Sequence, residues 1–252
     1  MKRTFDVLAA LLALTFLAPL LVAVALAIWL YDRRSPFFFA PRVARGGGEF
    51  RMVKFRTMIP NAWTSGVNST AAGDARITRI GRRLRHGKLD ELPQFWNVLR
   101  GDMSLVGPRP QLGAEVALYT SQESRLLEAR PGITDPASIV FADEGEILAG
   151  SADPDLLYSQ IVRPWKSRLA LLYLENQSFL LDLRILWITA LALVSRPRAL
   201  RSMTLLADAL GAGETLKAVA GRKIPLGPYP PPGALGIVEH DRPAVQEACA
   251  RS

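Results

Sequence analysis

Val7 to Leu30 is a run of twenty-four residues without a single charge and almost without a polar side chain. A bilayer-spanning helix needs about 20 such residues, so this stretch predicts a membrane segment and limits the remainder to a domain that works at a lipid surface. Its length and the bulky Trp29-Leu30-Tyr31 that closes it argue against a cleaved signal peptide. Basic residues flank both ends, Lys2 and Arg3 before and Arg33 and Arg34 after, so the positive-inside bias has no direction. Pro19 lies mid-run, where it removes a backbone hydrogen bond and predicts a kink. A single span and a helix that enters and returns on one face both fit these features.

The composition agrees with a membrane-surface protein. The 252 residues are 49% hydrophobic and carry 31 basic against 23 acidic side chains, a net charge of +8; mean hydropathy is +0.15. Such basicity suits an anionic leaflet. A nucleic-acid binder can be as basic, but no groove-reading motif is present and none needs the apolar N-terminus. The one cysteine, Cys249, excludes an internal disulfide framework and a cysteine-rich zinc site. The reading is one α/β domain, mainly helical with a small β-hairpin. It divides into a membrane helix (1–34), a cytoplasmic catalytic domain with interfacial amphipathic helices (35–195) and an accessory, partly disordered tail (196–252).

Chemistry concentrates in Leu89–Pro110, LDELPQFWNVLRGDMSLVGPRP. Leu92, Phe95, Trp96 and Leu99 recur at helical spacing, Pro93 falls in the first turn, and Gly101 stands where a helix ends. This places Asp90 near the N-cap, where free N–H groups and partial positive charge favour an ionised carboxylate or a bound phosphate. Asp90 is then either an ordinary cap or, with Glu91, a nucleophile or metal ligand. Arg85 and Lys88 precede the pair closely enough to keep it charged and to bind phosphate. His86 is a possible base, though a lone histidine is more often structural. Upstream, Arg45-Gly46-Gly47-Gly48 predicts a hairpin turn after the aromatic patch Ser35–Pro41. The two-residue period of Phe50–Met58 puts Lys54 and Arg56 on one face and Val53 and Phe55 on the other, which suits a phosphorylated substrate or a merely solvated strand. Gly107-Pro108-Arg109-Pro110 is a stiff turn presenting Arg109 for a fixed anion contact.

Gln111–Arg130 is expected to be one helix, Ala137–Asp155 an acidic loop, Leu156–Leu174 helical and Ser178–Val194 an apolar helix of the core or of the bilayer surface. The residues alone therefore give a membrane-associated, phosphate-handling protein.

Lys54–Met58 (KFRTM), Leu89–Pro110 and Arg130–Thr134 (RPGIT), in this order behind an apolar N-terminus, resemble the bacterial sugar transferases, monotopic phosphoglycosyl transferases that prime surface polysaccharide or glycan assembly. The resemblance covers about residues 2–195 and looks like the minimal form without additional spans. It implies attack by Asp90 on the β-phosphorus of a UDP-sugar, loss of UMP and transfer of the covalent hexose-1-phosphate to polyprenyl (undecaprenyl) phosphate. It further implies Mg²⁺ at Asp90, a positioning or deprotonating Glu91, and Lys54, Arg56, Arg85 and Arg109 as phosphate contacts. It makes the N-terminal helix re-entrant, bent at Pro19, with the catalytic domain on the cytoplasmic face of the bacterial inner membrane, where downstream glycosyltransferases are possible partners. Two departures stand out: Ala40 and Ala44 replace a common glutamine and glycine, and Asp135–Asp143 reads DPASIVFAD where family members continue Gly-Trp-Ala-Gln-Val-Asn-Gly-Arg. The alternative from another class is a non-catalytic membrane-surface scaffold binding anionic lipid or partner enzymes.

Overall fold

A computed structural model describes residues 1–62 and 66–239; the end of the accessory tail, 240–252, lies outside the described residues. The apolar run forms one helix, α1 (Lys2–Asp32), with Pro19 inside it. At about 1.5 Å per residue it is the one described helix long and apolar enough to cross a membrane. Its buried residues are Asp6, Ala10, Val24 and Ile28, whereas Leu11, Leu12, Phe16, Leu20 and Val22 between them are exposed. Both ends of the helix are thus fixed to the domain and its middle is bare hydrocarbon, the candidate membrane anchor.

The attachment is polar at both ends. Asp6 accepts hydrogen bonds from Ser104 Oγ at 2.7 Å and the Leu105 amide at 3.3 Å. Lys2 pairs with buried Asp182 at 2.5 Å, and Arg3 donates to the Val98 and Leu99 carbonyls at 2.6 and 3.0 Å. Those carbonyls belong to the last turn of α3 (Gln94–Arg100), where carbonyls lack their usual i+4 partners, so Arg3 caps that helix from outside, sharing the Val98 carbonyl with the Gly101 amide at 3.1 Å. At the far end Asp32 takes a two-pronged bond from Arg56, both distances 2.7 Å.

The triple-glycine turn produces the expected hairpin, β1 (Phe37–Val43) with β2 (Glu49–Phe55), registered from Phe37 opposite Phe55 to Val43 opposite Glu49. A second, parallel pair joins β3 (Ser104–Val106) to β4 (Gly132–Thr134). It brings Gly107 and Gly132 face to face, so closely that a Cβ on Gly132 would lie 2.2 Å from the Gly107 amide nitrogen. Only two glycines permit that crossing, which physically links the GPRP and RPGIT motifs and fixes where Arg109 emerges.

Several elements depart from the sequence expectation. The arginine-rich stretch before the Asp-Glu pair forms α2 (Arg79–His86), which starts where Thr78 Oγ1 caps it by accepting from the Gly81 amide at 3.0 Å. Gln111–Arg130 breaks into α4 (Gly113–Val116), α5 (Ser121–Ser124) and a 3-10 turn, Arg125–Glu128. A capping box, Thr120 with Glu123, starts a new helix inside the stretch. The acidic loop holds three short helices, α6 (Pro136–Val140), α7 (Glu144–Ile147) and α8 (Pro154–Leu157). A π-helical turn, Tyr158–Val162, leads into α9 (Arg163–Glu175), and α10 (Phe179–Val194) follows as expected. The segment read as an accessory tail forms α11 (Arg196–Ala209) and α12 (Glu214–Ala220), whose Ala199, Met203, Leu206 and Val219 join the main core. After α12 the chain crosses α9, setting the Tyr229 ring against Trp165 at 4.4 Å and a tilt of 33°.

Candidate active site

Lys88 adopts the left-handed conformation (φ 54°) and starts a separate 3-10 turn, Leu89–Glu91, ahead of α3, which begins behind Pro93. Asp90 therefore stands in its own turn rather than capping α3. The face of α3 also differs from its apolar stripe: Gln94, Asn97 and Val98 are buried while Trp96 is 52% exposed. The reason is Asn97, whose amide spans β2, accepting from the Val53 N–H and donating to the Arg51 carbonyl, both at 2.8 Å. This clamp fixes α3 against β2 and with it the separation of Lys54 from Glu91. The sequence carries no local signal for this clamp, since its partners lie 44 and 46 residues back.

Glu91 is the hub. Lys54 Nζ reaches its Oε1 at 3.1 Å, Arg109 Nη1 reaches Oε2 at 3.3 Å, and Arg109 Nη2 also pairs with Oε1. Burial pushes the Glu91 carboxyl up, but Arg109 and Lys54 outweigh it and hold it well below the usual carboxylate range. Its neighbour is placed differently. Asp90 is 7% exposed, and among the described residues its carboxylate makes no hydrogen bond or ion pair. Burial and then the charge of Glu91 push its pKa up, while Lys54, Arg85 and Lys88 pull it down without cancelling that rise. Two adjacent carboxyls are thereby driven apart in acidity, the pattern expected when two acids have different tasks. Arg85 faces Asp90 with its Nε on Thr57 Oγ1 at 2.9 Å, and burial lowers its pKa from the ordinary arginine value.

Lys54, Arg85, Arg109, Asp90 and Glu91 are therefore together. Arg56 is not with them: Asp32 and the Ser35 carbonyl occupy its guanidinium. The two-residue period gave its face, but a partner twenty-four residues back turned it toward the membrane helix. His86 is exposed at the end of α2. The departing segment has its own internal logic: Asp135 caps α6 by accepting from the Ser138 amide at 2.7 Å, and Asp143 pairs with Arg196 at 2.6 Å and Arg222 at 3.0 Å. It is thus tied to the C-terminal helices.

A divalent ion is compatible with these residues. The described residues contain no cluster of three or more acidic, histidine or cysteine side chains. Mg²⁺, however, is commonly held by one or two carboxylates together with substrate phosphates and water. Asp90 offers the uncommitted carboxylate that such binding needs.

Two adjacent carboxylates and half-buried cations thus meet in a domain that carries one apolar helix of bilayer length, a candidate membrane anchor. The chain belongs to the bacterial sugar transferases, whose family model matches residues 1–196. It is 40% identical over 172 residues to a UDP-glucose:undecaprenyl-phosphate glucose-1-phosphate transferase of Caulobacter vibrioides, a match covering 66% of this chain and 64% of that protein. To a UDP-N-acetylgalactosamine-undecaprenyl-phosphate N-acetylgalactosaminephosphotransferase of Aeromonas hydrophila it is 36% identical over 173 residues, 65% of this chain and 40% of that one. A Bacillus subtilis protein named uncharacterized sugar transferase EpsL is 35% identical over 189 residues, 75% of this chain and 85% of that protein. The chain thus spans less than two thirds of the length of the first two relatives.

Proposed function

We propose that this chain transfers a hexose-1-phosphate from a UDP-sugar to polyprenyl phosphate, releasing UMP. An Asp90 oxygen forms a bond to the β-phosphorus, the anhydride bond breaks, and UMP leaves with the electron pair. An oxygen of the polyprenyl phosphate then attacks the same phosphorus and frees the carboxylate. The observation that carries this reading is the uncommitted, buried Asp90 carboxylate, within electrostatic range of Lys54, Arg85 and Lys88 and beside a glutamate already occupied by cations. Phosphoryl transfer asks chiefly for positioning and charge stabilisation, and these residues supply both. With its acidity strengthened, Glu91 is a weak base; its task is to hold Lys54 and Arg109 in register for the phosphates. Mg²⁺ at Asp90, when bound, would neutralise the diphosphate and assist the leaving group.

The geography fits this chemistry. A helix that crossed the bilayer could not fasten both ends to one domain, and α1 is held at Lys2, Arg3 and Asp6 as well as at Asp32. That supports re-entrance, with the site on the cytoplasmic face of the inner membrane, between a soluble donor and a lipid acceptor. The product would begin a surface polysaccharide. The test uses radiolabelled UDP-sugar, polyprenyl phosphate and Mg²⁺: Asp90→Asn is expected to lower label transfer by a thousandfold or more, on the order seen when nucleophiles are removed. Undiminished transfer would refute the mechanism and favour the scaffold.

A further inference from the structure

The antiparallel register puts Phe38 opposite Lys54, Ala40 opposite Met52 and Arg42 opposite Phe50. Opposed residues share a face, and so do alternate ones, so Arg42 stands on the face that carries Lys54 toward Glu91. Between the two cations lie Ala40 and Met52, each 2% exposed. Beyond Arg42, the Val43 amide donates to the Gln111 carbonyl at 3.0 Å, which docks the end of β1 two residues past Arg109. Arg42 thereby comes within electrostatic range of Glu91, Arg109, Glu115 and Tyr158.

Its partners set it apart from the cations around it. Lys54 and Arg109 hold Glu91, and Lys166 holds Glu144. Arg42 donates from Nη1 to the carbonyl of its own neighbour, Pro41, at 2.8 Å, and among the described residues it makes no ion pair. The nearby Glu115 carboxylate accepts from the Leu112 amide at 3.0 Å. A guanidinium remains charged under any ordinary condition and offers five donors in a planar fork. Half-buried without a counter-ion, such a group is costly, and the cost is offset when a phosphate takes the fork in a bidentate pair.

Resting on the reaction proposed above, we infer that Arg42 is a phosphate-contacting residue of this site, gripping with Arg109 the oxygens of a substrate phosphate. Two substrates carry that group, the UDP-sugar and the polyprenyl phosphate, and kinetics separates them. With the full chain in lipid nanodiscs, UMP release is measured while one substrate is varied and the other held saturating. Arg42→Gln is expected to raise KM for one of them by about tenfold or more, as for the loss of a charged hydrogen bond, with kcat changed less. Arg42→Lys, which keeps the charge and loses the fork, is expected to fall between. A shift confined to the UDP-sugar assigns the diphosphate, and one confined to the polyprenyl phosphate assigns the lipid. Unchanged KM for both substrates, or a fall in kcat alone, overturns the inference. If Arg42→Gln does not fold, the same criteria apply to Arg42→Lys. Wild-type protein that releases no UMP refutes the reaction itself, whereas active wild type matched by the variants refutes only the role of Arg42.

Discussion

Two glutamates, thirty-two residues apart, each meet an arginine, and their surroundings are opposite. Glu123 is 0% exposed and accepts from Arg163 Nε at 3.0 Å and Nη2 at 2.6 Å, from Ser167 Oγ at 2.7 Å and from the Thr120 amide at 3.1 Å. Arg163 also donates to the Leu118 carbonyl. Donors and acceptors there are matched and nothing is left for a ligand. Glu91 meets Lys54 and Arg109, side chains 18% and 28% exposed, next to an Asp90 with no partner and an Arg85 whose recorded contact is a neutral hydroxyl. A glutamate paired with an arginine is common to both clusters, and Glu91 is the less buried of the two. What separates a structural ion pair from a candidate active site is the remainder after pairing: none at Glu123, a free carboxylate and surplus cations at Glu91.

The sharpest way to break the comparison is to neutralise each hub. Glu123→Gln leaves Arg163 charged and unpaired in the interior, a change that costs about 3–5 kcal/mol and lowers Tm on the order of 10 °C for a chain of this size. Activity per folded molecule should hold. Glu91→Gln should do the reverse: kcat/KM for UMP release falls by about a hundredfold or more, while thermal denaturation shows a loss of only about 1–2 kcal/mol, because its partners are partly solvated. If Glu91→Gln melts lower than Glu123→Gln and turns over normally, the distinction drawn here is wrong.

The dyad offers a second, smaller contrast. The Asp90 pKa is raised on folding, so between its unfolded value near 3.8 and its folded one the native state binds more protons, and stability falls as pH rises through that window. The penalty is present above that window. Glu91 is lowered; its contribution is fully present above its unfolded value near 4.5 and is lost as pH falls through the folded one. Asp90→Asn should therefore raise Tm at pH 7, by a gain of roughly 1 kcal/mol typical of removing a strained functional group, while abolishing turnover. In the wild type, turnover should decline as acid titrates Asp90. Calorimetry of the variant at pH 7 showing a lower Tm would contradict the assigned shift.

The glutamates also mark how far the sequence could be read. Local signals were sufficient for α1, the hairpin and the nearness of Arg85 to Asp90, because short turns and period-2 or period-3.6 patterns encode them; that Lys54 and Arg109 belong with the carboxylates came from the family resemblance, not from spacing. The break inside Gln111–Arg130 was also local: Thr120 and Glu123 are three residues apart in a capping box, overlooked because the stretch otherwise reads as helix. Contacts across long separations were not legible. Nothing local says that α11 and α12 pack into the core, that Asn97 reaches back to β2, or that Asp143 pairs with Arg196 and Arg222. Arg42 was hidden for a similar reason, since its face follows from register rather than from its neighbours.

The smallest expected effect concerns Arg56, where strand periodicity and three-dimensional pairing disagree. On the strand it shares the Lys54 face; in the fold Asp32 holds it with two bonds of 2.7 Å, the side chains being 12% and 23% exposed. A pair that close to solvent contributes about 1 kcal/mol or less, so Asp32→Asn should lower Tm by only a few degrees. A double-mutant cycle separates the two roles. If Arg56 acts only by fastening the end of α1 to β2, Arg56→Gln, Asp32→Asn and the double variant should share one small loss of stability and retain wild-type KM for UDP-sugar. Should Arg56→Gln alone raise KM while Asp32→Asn does not, the guanidinium must leave Asp32 during turnover to meet a phosphate, and the fork would be a resting contact broken by substrate rather than a fixed hinge of the membrane helix.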